Sequence, residues 1–135
     1  MIFMARHSHN SSRVLNQSEI SEFIKTQGGS VVDPSLLTFR EKYSYFSRAR
    51  AMIGDGSASM NMILFAPTDC QFVGLYDPLV LSNDNFLDGG FPYTDMIASR
   101  TIPVFGRNPQ LLQGSPLASC HYNLHEINEI ISTLI

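Results

Sequence analysis

Between Ala51 and Pro67 the chain reads AMIGDGSASMNMILFAP, a short apolar strand that runs through Gly54-Asp55-Gly56-Ser57-Ala58-Ser59 into a second apolar run. A strand, a turn of small residues and a helix together make a phosphate cradle. Glycine lets backbone approach an anion closely, and the first turn of the helix offers unpaired N–H groups and the positive end of its dipole. The run is G-x-G-x-x-S, one glycine short of the dinucleotide fingerprint. It also lies mid-chain rather than after the first strand, which disfavours an NAD-type fold and suits a nucleotide site at a later strand end. A tight strand-to-helix turn that holds no ligand is the competing reading.

The rest of the chain alternates in the same way. Ile2 to Arg6 is a short strand, and polar HSHNSSR after it is a loop. Asn16 is placed to cap a helix in NQSEISEFIKTQGG, with Glu19 completing a capping box and Ile20, Phe23 and Ile24 forming an apolar stripe that ends at Gly28 or Gly29. Ser30 to Asp33 is a β-branched strand closed by Pro34; Thr38 caps the next helix, whose Phe39, Tyr43, Phe46 and Ala49 are expected to face inward. Strands follow at Ala51–Ile53, Gln71–Tyr76 and Thr101–Phe105, with a helix from Ser57 to Phe65 between the first two. Leu79 to Arg100 is loop-rich, with a helical turn at Asp95 to Ser99, and Arg107 to Cys120 carries the turn formers Pro109, Gly114 and Pro116. Asn123 caps a last helix with Ile127, Ile130, Ile131 and Leu134 apolar. Alternating strands and helices predict an α/β fold: a three-layer, Rossmann-like domain with a mostly parallel sheet of about five strands and helices on both faces.

A chain of 135 residues is one domain, with room for a core but not for two lobes and a cleft. Its formal charge of −3 and scattered basic residues argue against nucleic acid or an anionic membrane surface as partner. No apolar stretch is long enough to span a bilayer, and the apolar start is too short for a signal peptide, so a cytoplasmic location is expected. Cys70 and Cys120, far apart in sequence, are expected to be reduced and buried. His7 and His9 lack a carboxylate partner and read as solvent-facing rather than as metal ligands, so no metal site is expected. Ser57 is not a nucleophile elbow, because Ser59 occupies the final glycine position of G-x-S-x-G. Asp55 reads as a turn residue bonding its own backbone. Arg6, at the carboxyl end of the first strand, sits where open α/β sheets bind ligands.

The order of these segments resembles the C-terminal half of glycosyltransferase family 61. IFMAR followed by SSRVLNQSEI is similar to the family's opening strand and its R-x-L-N-E-x-E-L helix start, with Arg6, Arg13, Asn16 and Glu19 matching. SLLTFREKYSYFSRARAMIG matches the following block at Phe39, Phe46, Ser47, Ala49 and Gly54, and Leu64 to Pro67 fits its L-F-x-P. HYNLHEINEI resembles the closing strand end and helix, so that the resemblance extends over nearly the whole chain. The family's G-x-H-G-A-x-L-x-N becomes GDGSASMNM here. Aligned without a gap, Gly56 replaces the histidine; with one residue dropped before Gly56 and one added after Asn61, Gly56-Ser57 and Asn61 take the Gly-Ala and asparagine places, and in either register the histidine is absent. Gly74 stands where many members carry glutamate.

The resemblance implies a GT-B architecture of two Rossmann-like lobes, with the nucleotide-sugar donor held chiefly by the C-terminal one and with no metal requirement or cofactor. Residues 1–135 would then be that donor lobe, complete at its carboxyl end and lacking the N-terminal acceptor lobe, which a separate chain or self-association would have to supply. The implied function is donor binding in an inverting, metal-independent glycosyltransferase of polysaccharide or glycan synthesis, with a UDP-linked sugar as substrate. The donor-binding residues implied are Arg6, Arg13, Gly54, Gly56, Ser57, Ala58, Ser59 and Asn61, with backbone N–H groups replacing a metal ion as counter-charge to the diphosphate. The alternative is a non-catalytic remnant or interaction module that keeps the fold and has lost donor binding.

Overall fold

The computed structural model describes residues 1–6, 13–55, 58–79, 100–111 and 118–134. Among them, strands β1 (Ile2–Met4), β2 (Ser30–Val32), β3 (Ala51–Asp55), β4 (Gln71–Tyr76) and β5 (Thr101–Phe105) form one parallel sheet in the order β2-β1-β3-β4-β5. Both parities of these strands are apolar, as a sheet covered on two sides requires. Val31, Phe3, Ile53, Val73 and Ile102 stand in register across the sheet, and Ile2, Met52 and Phe72 form the neighbouring row.

Phe3, Ile53 and Val73 pack with Ile20 and Ile24 of helix α1 (Gln17–Thr26) and with Ile127 and Ile131 of helix α3 (Leu124–Leu134). Ile2, Met4, Met52 and Phe72 pack instead with Phe46, at the end of helix α2 (Phe39–Phe46), with Ala49 just beyond it, and with Ile63. Each of these fully buried aliphatic or aromatic side chains contributes about 1.5–3 kcal/mol. The connection through α1 moves from β1 to one neighbour and the connection through α2 leads to the other. Right-handed crossovers therefore put the two helices on opposite faces. This is the expected α/β, Rossmann-like three-layer fold.

Several local expectations are met. Thr38 and Glu41 form a reciprocal capping box on α2; the two bonds from Thr38 hold the Glu41 carboxyl below its ordinary range. Gly28, at φ 74°, closes α1 in the left-handed region. Asn123 caps α3 by accepting from the His125 N–H at 2.9 Å.

Others are corrected. β1 ends at Met4 rather than Arg6. The Ser57–Phe65 helix is a 3₁₀ segment over Ala58–Phe65. Eight residues at about 2.0 Å rise reach farther than the same number in an α-helix at about 1.5 Å, so the tighter winding stretches the crossover from β3 toward β4. Phe39 and Tyr43 do not face inward: they are 74% and 60% exposed, because α2 buries only its carboxyl end and Phe39 packs edge-on against Phe65. Residues Arg107–Leu111 and Ala118–His121, read only as turn-rich, form an antiparallel pair, β6 and β7. Cys70 and Cys120 are free and buried, one in each core layer. The turn expected within Asp95–Ser99 lies outside the described residues.

Candidate functional site at the carboxyl edge of the sheet

β1 has neighbours reached in opposite directions, so the strand order reverses between β1 and β3. The crevice outside the carboxyl ends of two such strands is where open α/β sheets bind ligands. Arg6 and Asp55 stand on its two sides. Met4 pairs with Gly54 in the ladder, Arg6 lies two residues past Met4, and Asp55 ends β3. Arg6 Nη2 and Asp55 Oδ2 are 2.8 Å apart; the arginine side chain is 36% exposed and the aspartate 7%. A partly exposed arginine paired to a buried carboxylate at a switch point has the chemistry to meet an anion through charge-assisted bonds. β3 extends through Asp55, opposite Leu75, so the residue read as part of a turn is the last residue of the strand.

The main chain of Arg6 is fixed as well. Its N–H donates to Gln17 Oε1 at 2.9 Å, and Gln17 Nε2 donates to its carbonyl at 2.8 Å. One carboxamide at the start of α1 therefore takes over where the β1 ladder stops. Asn16, next to it, does not make the expected side-chain cap. Its Oδ1 accepts from the Tyr122 N–H at 2.9 Å and its Nδ2 donates to the Tyr122 carbonyl at 2.8 Å, with a longer bond of 3.3 Å to Glu19.

The segment from Arg13 to Leu15 runs beside β7. Cys120 N–H donates to the Arg13 carbonyl at 2.9 Å, and Leu15 N–H to the Cys120 carbonyl at 2.8 Å. Asp77, just past β4, is buried and accepts from the Ala118 N–H at 2.6 Å and the Leu79 N–H at 2.9 Å, which ties β7 to the sheet. Burial, reinforced by Asp77, pushes the Cys120 thiol up to about 11. Tyr122 is pushed higher still, first by burial and then by Cys120, Asp77 and Asp55, with Arg13 acting the other way. Cys120 and Tyr122 are both part of the hydrophobic core on this side of the sheet.

Of the residues expected to bind donor, Arg6 and Gly54 come together at the switch point. Arg13 is half-buried beside β7, Ala58 and Ser59 open the 3₁₀ segment, and Asn61 is half-buried within it. Gly56 and Ser57, like His7 and His9, lie outside the described residues. Among the described residues no three His, Cys, Asp or Glu side chains gather to hold a metal ion, and no helix is long and apolar enough to cross a membrane. Gln17, Asp77 and Tyr122 were not singled out from sequence. Their roles come from contacts across 11, 41 and 106 residues, which no local pattern encodes.

Gly74 is covered by its own strand: a Cβ there would lie 2.4 Å from Tyr76 Cε2, so the tyrosine ring occupies the space a larger side chain would need. A separate cavity of about 580 Å³ opens at the other end of the sheet, lined by Ile2, Ser30, Ser44, Tyr45 and Arg48 among others.

A family model for glycosyltransferase 61 matches residues 1–73. The matched stretch includes Arg6, Arg13, Asn16, Gln17, Asp55 and the glycine turn, and ends at Val73 within β4. No curated protein and no solved structure matches the chain. With more than half of its length matched and a parallel α/β sheet of the expected kind, the chain belongs to the glycosyltransferase 61 family.

Proposed function

We propose that this chain is the donor-nucleotide lobe of an inverting, metal-independent glycosyltransferase that uses a UDP-linked sugar in polysaccharide or glycan synthesis. The observation that supports the reading is the partly exposed Arg6 side chain, paired with Asp55 at the β1/β3 switch point. As the sugar leaves, negative charge builds on the terminal phosphate of UDP, and fixed donors already aimed there stabilise it without reorganising. Arg6 supplies one such donor and Arg13 a second. Gly54 lets the diphosphate approach the strand end closely, Gly56, Ser57, Ala58 and Ser59 bring backbone N–H groups, and Asn61 adds a side-chain amide. The base that activates the acceptor belongs in this reading to an N-terminal lobe, supplied by another segment or by a partner copy.

A second reading, a non-catalytic module of the same fold, is favoured by the tyrosine ring packed over Gly74, at the place where the resemblance puts a glutamate. One titration separates the two. UDP should raise the melting temperature in the presence of EDTA, because a ligand that binds only the native state stabilises it by mass action. Ser57→Glu sets a carboxylate against the diphosphate and should weaken UDP binding about 10- to 100-fold, the equivalent of losing a charge-assisted bond worth about 1.5–3 kcal/mol, while circular dichroism stays unchanged. Binding in neither chain supports the non-catalytic module, and equal affinity in both contradicts a diphosphate site at Ser57.

A further inference from the structure

We propose that Gln17 is a positioning residue for donor binding, acting through Arg6; the inference rests on the donor-lobe reading above. Arg6 lies two residues past Met4, the last residue of β1 and of its pairing with β2 and β3. Ala5 N–H still donates to the Val32 carbonyl at 2.9 Å, but at Arg6 it is the Gln17 carboxamide that takes both main-chain groups, at 2.9 and 2.8 Å. The amide offers one acceptor and one donor with the spacing of a peptide unit, so it acts as a surrogate strand one residue long. Its own backbone is the first residue of α1, which is anchored by Ile20 and Ile24 in the core.

Arg6 is then held at two points: its main chain by Gln17 and its guanidinium by Asp55. Both holds act before any ligand arrives. An arginine side chain that is free to wander pays ordering entropy when it binds, and a pre-aimed one does not. A carboxylate at position 17 could accept from the Arg6 N–H but could not donate to its carbonyl. Glutamine completes the clamp.

The test is a double-mutant cycle on UDP binding by calorimetric titration of the full chain. Gln17→Met keeps the side-chain volume and removes both bonds; it should weaken UDP about 3- to 10-fold. Made together with Arg6→Ala it should cost nothing further, because its effect passes through Arg6. Arg6→Lys serves as the background if Arg6→Ala binds too weakly to titrate, and amide exchange at Arg6 should speed up in Gln17→Met. An unchanged affinity in Gln17→Met, or the same fold-loss with and without Arg6, overturns the positioning role. Binding that Arg6→Ala leaves intact, or no UDP binding by the unmodified chain, overturns the donor-lobe reading and this inference with it.

Discussion

The Asn16 carboxamide joins two parts of the chain that are 106 residues apart, with one bond to the Tyr122 N–H and one to its carbonyl. Both are buried, so replacing the side chain with a methyl group strands two polar groups, at about 1–3 kcal/mol each. Asn16→Ala should therefore lower stability by about 2–4 kcal/mol in urea unfolding. Asn16→Asp, which keeps the acceptor and loses the donor, should fall between. A loss within experimental error for Asn16→Ala would mean that the two bonds do not hold α1 to β7. The residue was legible from sequence as a helix start, and its neighbour Glu19 as the third helical position. Its chemistry was not, because the partner of a side-chain amide is decided by what packs beside it. Asp55 follows the same rule. Between two glycines it has the sequence of a turn, and its ion pair with Arg6, just past the end of β1, helps a buried carboxylate stand there.

At the level of elements, β4 and β5 follow the sequence expectation residue for residue, since each is apolar after its first residue and β4 stops at Asp77-Pro78. β6 gives no such signal. Its RNPQL is exposed throughout, contains a proline and has Asn108 at φ 52°, so neither alternation nor propensity marks it as a strand. What holds the hairpin is tertiary: the Asp77 carboxylate on Ala118 and the close approach of Gly106 to β7. A Cβ at Gly106 would sit 2.2 Å from Cys120 Cβ, an atom fixed to backbone and unable to swing away. Gly106→Ala should cost about 1–3 kcal/mol and lower the urea midpoint without changing its slope. An unchanged midpoint would show that the hairpin can shift away from the sheet at little cost. α2 was misread at its first turns for a related reason. Phe39 and Tyr43 have core spacing, yet the helix projects them past the sheet, and periodicity does not say how far along its length a helix stays covered.

In the whole molecule, function is argued from polarity of the sheet. The carboxyl edge gathers Arg6, Gly54, Asp55 and Asp77, while the cavity of about 580 Å³ lies at the amino edge around Ser30, Ser44 and Arg48. Strand topology and the Arg6–Asp55 pair at the switch point favour the carboxyl edge. Sequence could supply the fold and the choice of edge, because alternation fixes a parallel sheet and a parallel sheet fixes where ligands enter. It could not supply the clamp on Arg6, which depends on how α1 returns past the end of β1. The most direct test is an amide chemical-shift titration with UDP in EDTA. The account expects the largest shifts at Arg6, Gly54, Asp55 and Asn61, saturating together, with Gly28, Ser30, Ser44 and Arg48 still. Shifts confined to that second group, or none at any saturating concentration, would contradict it.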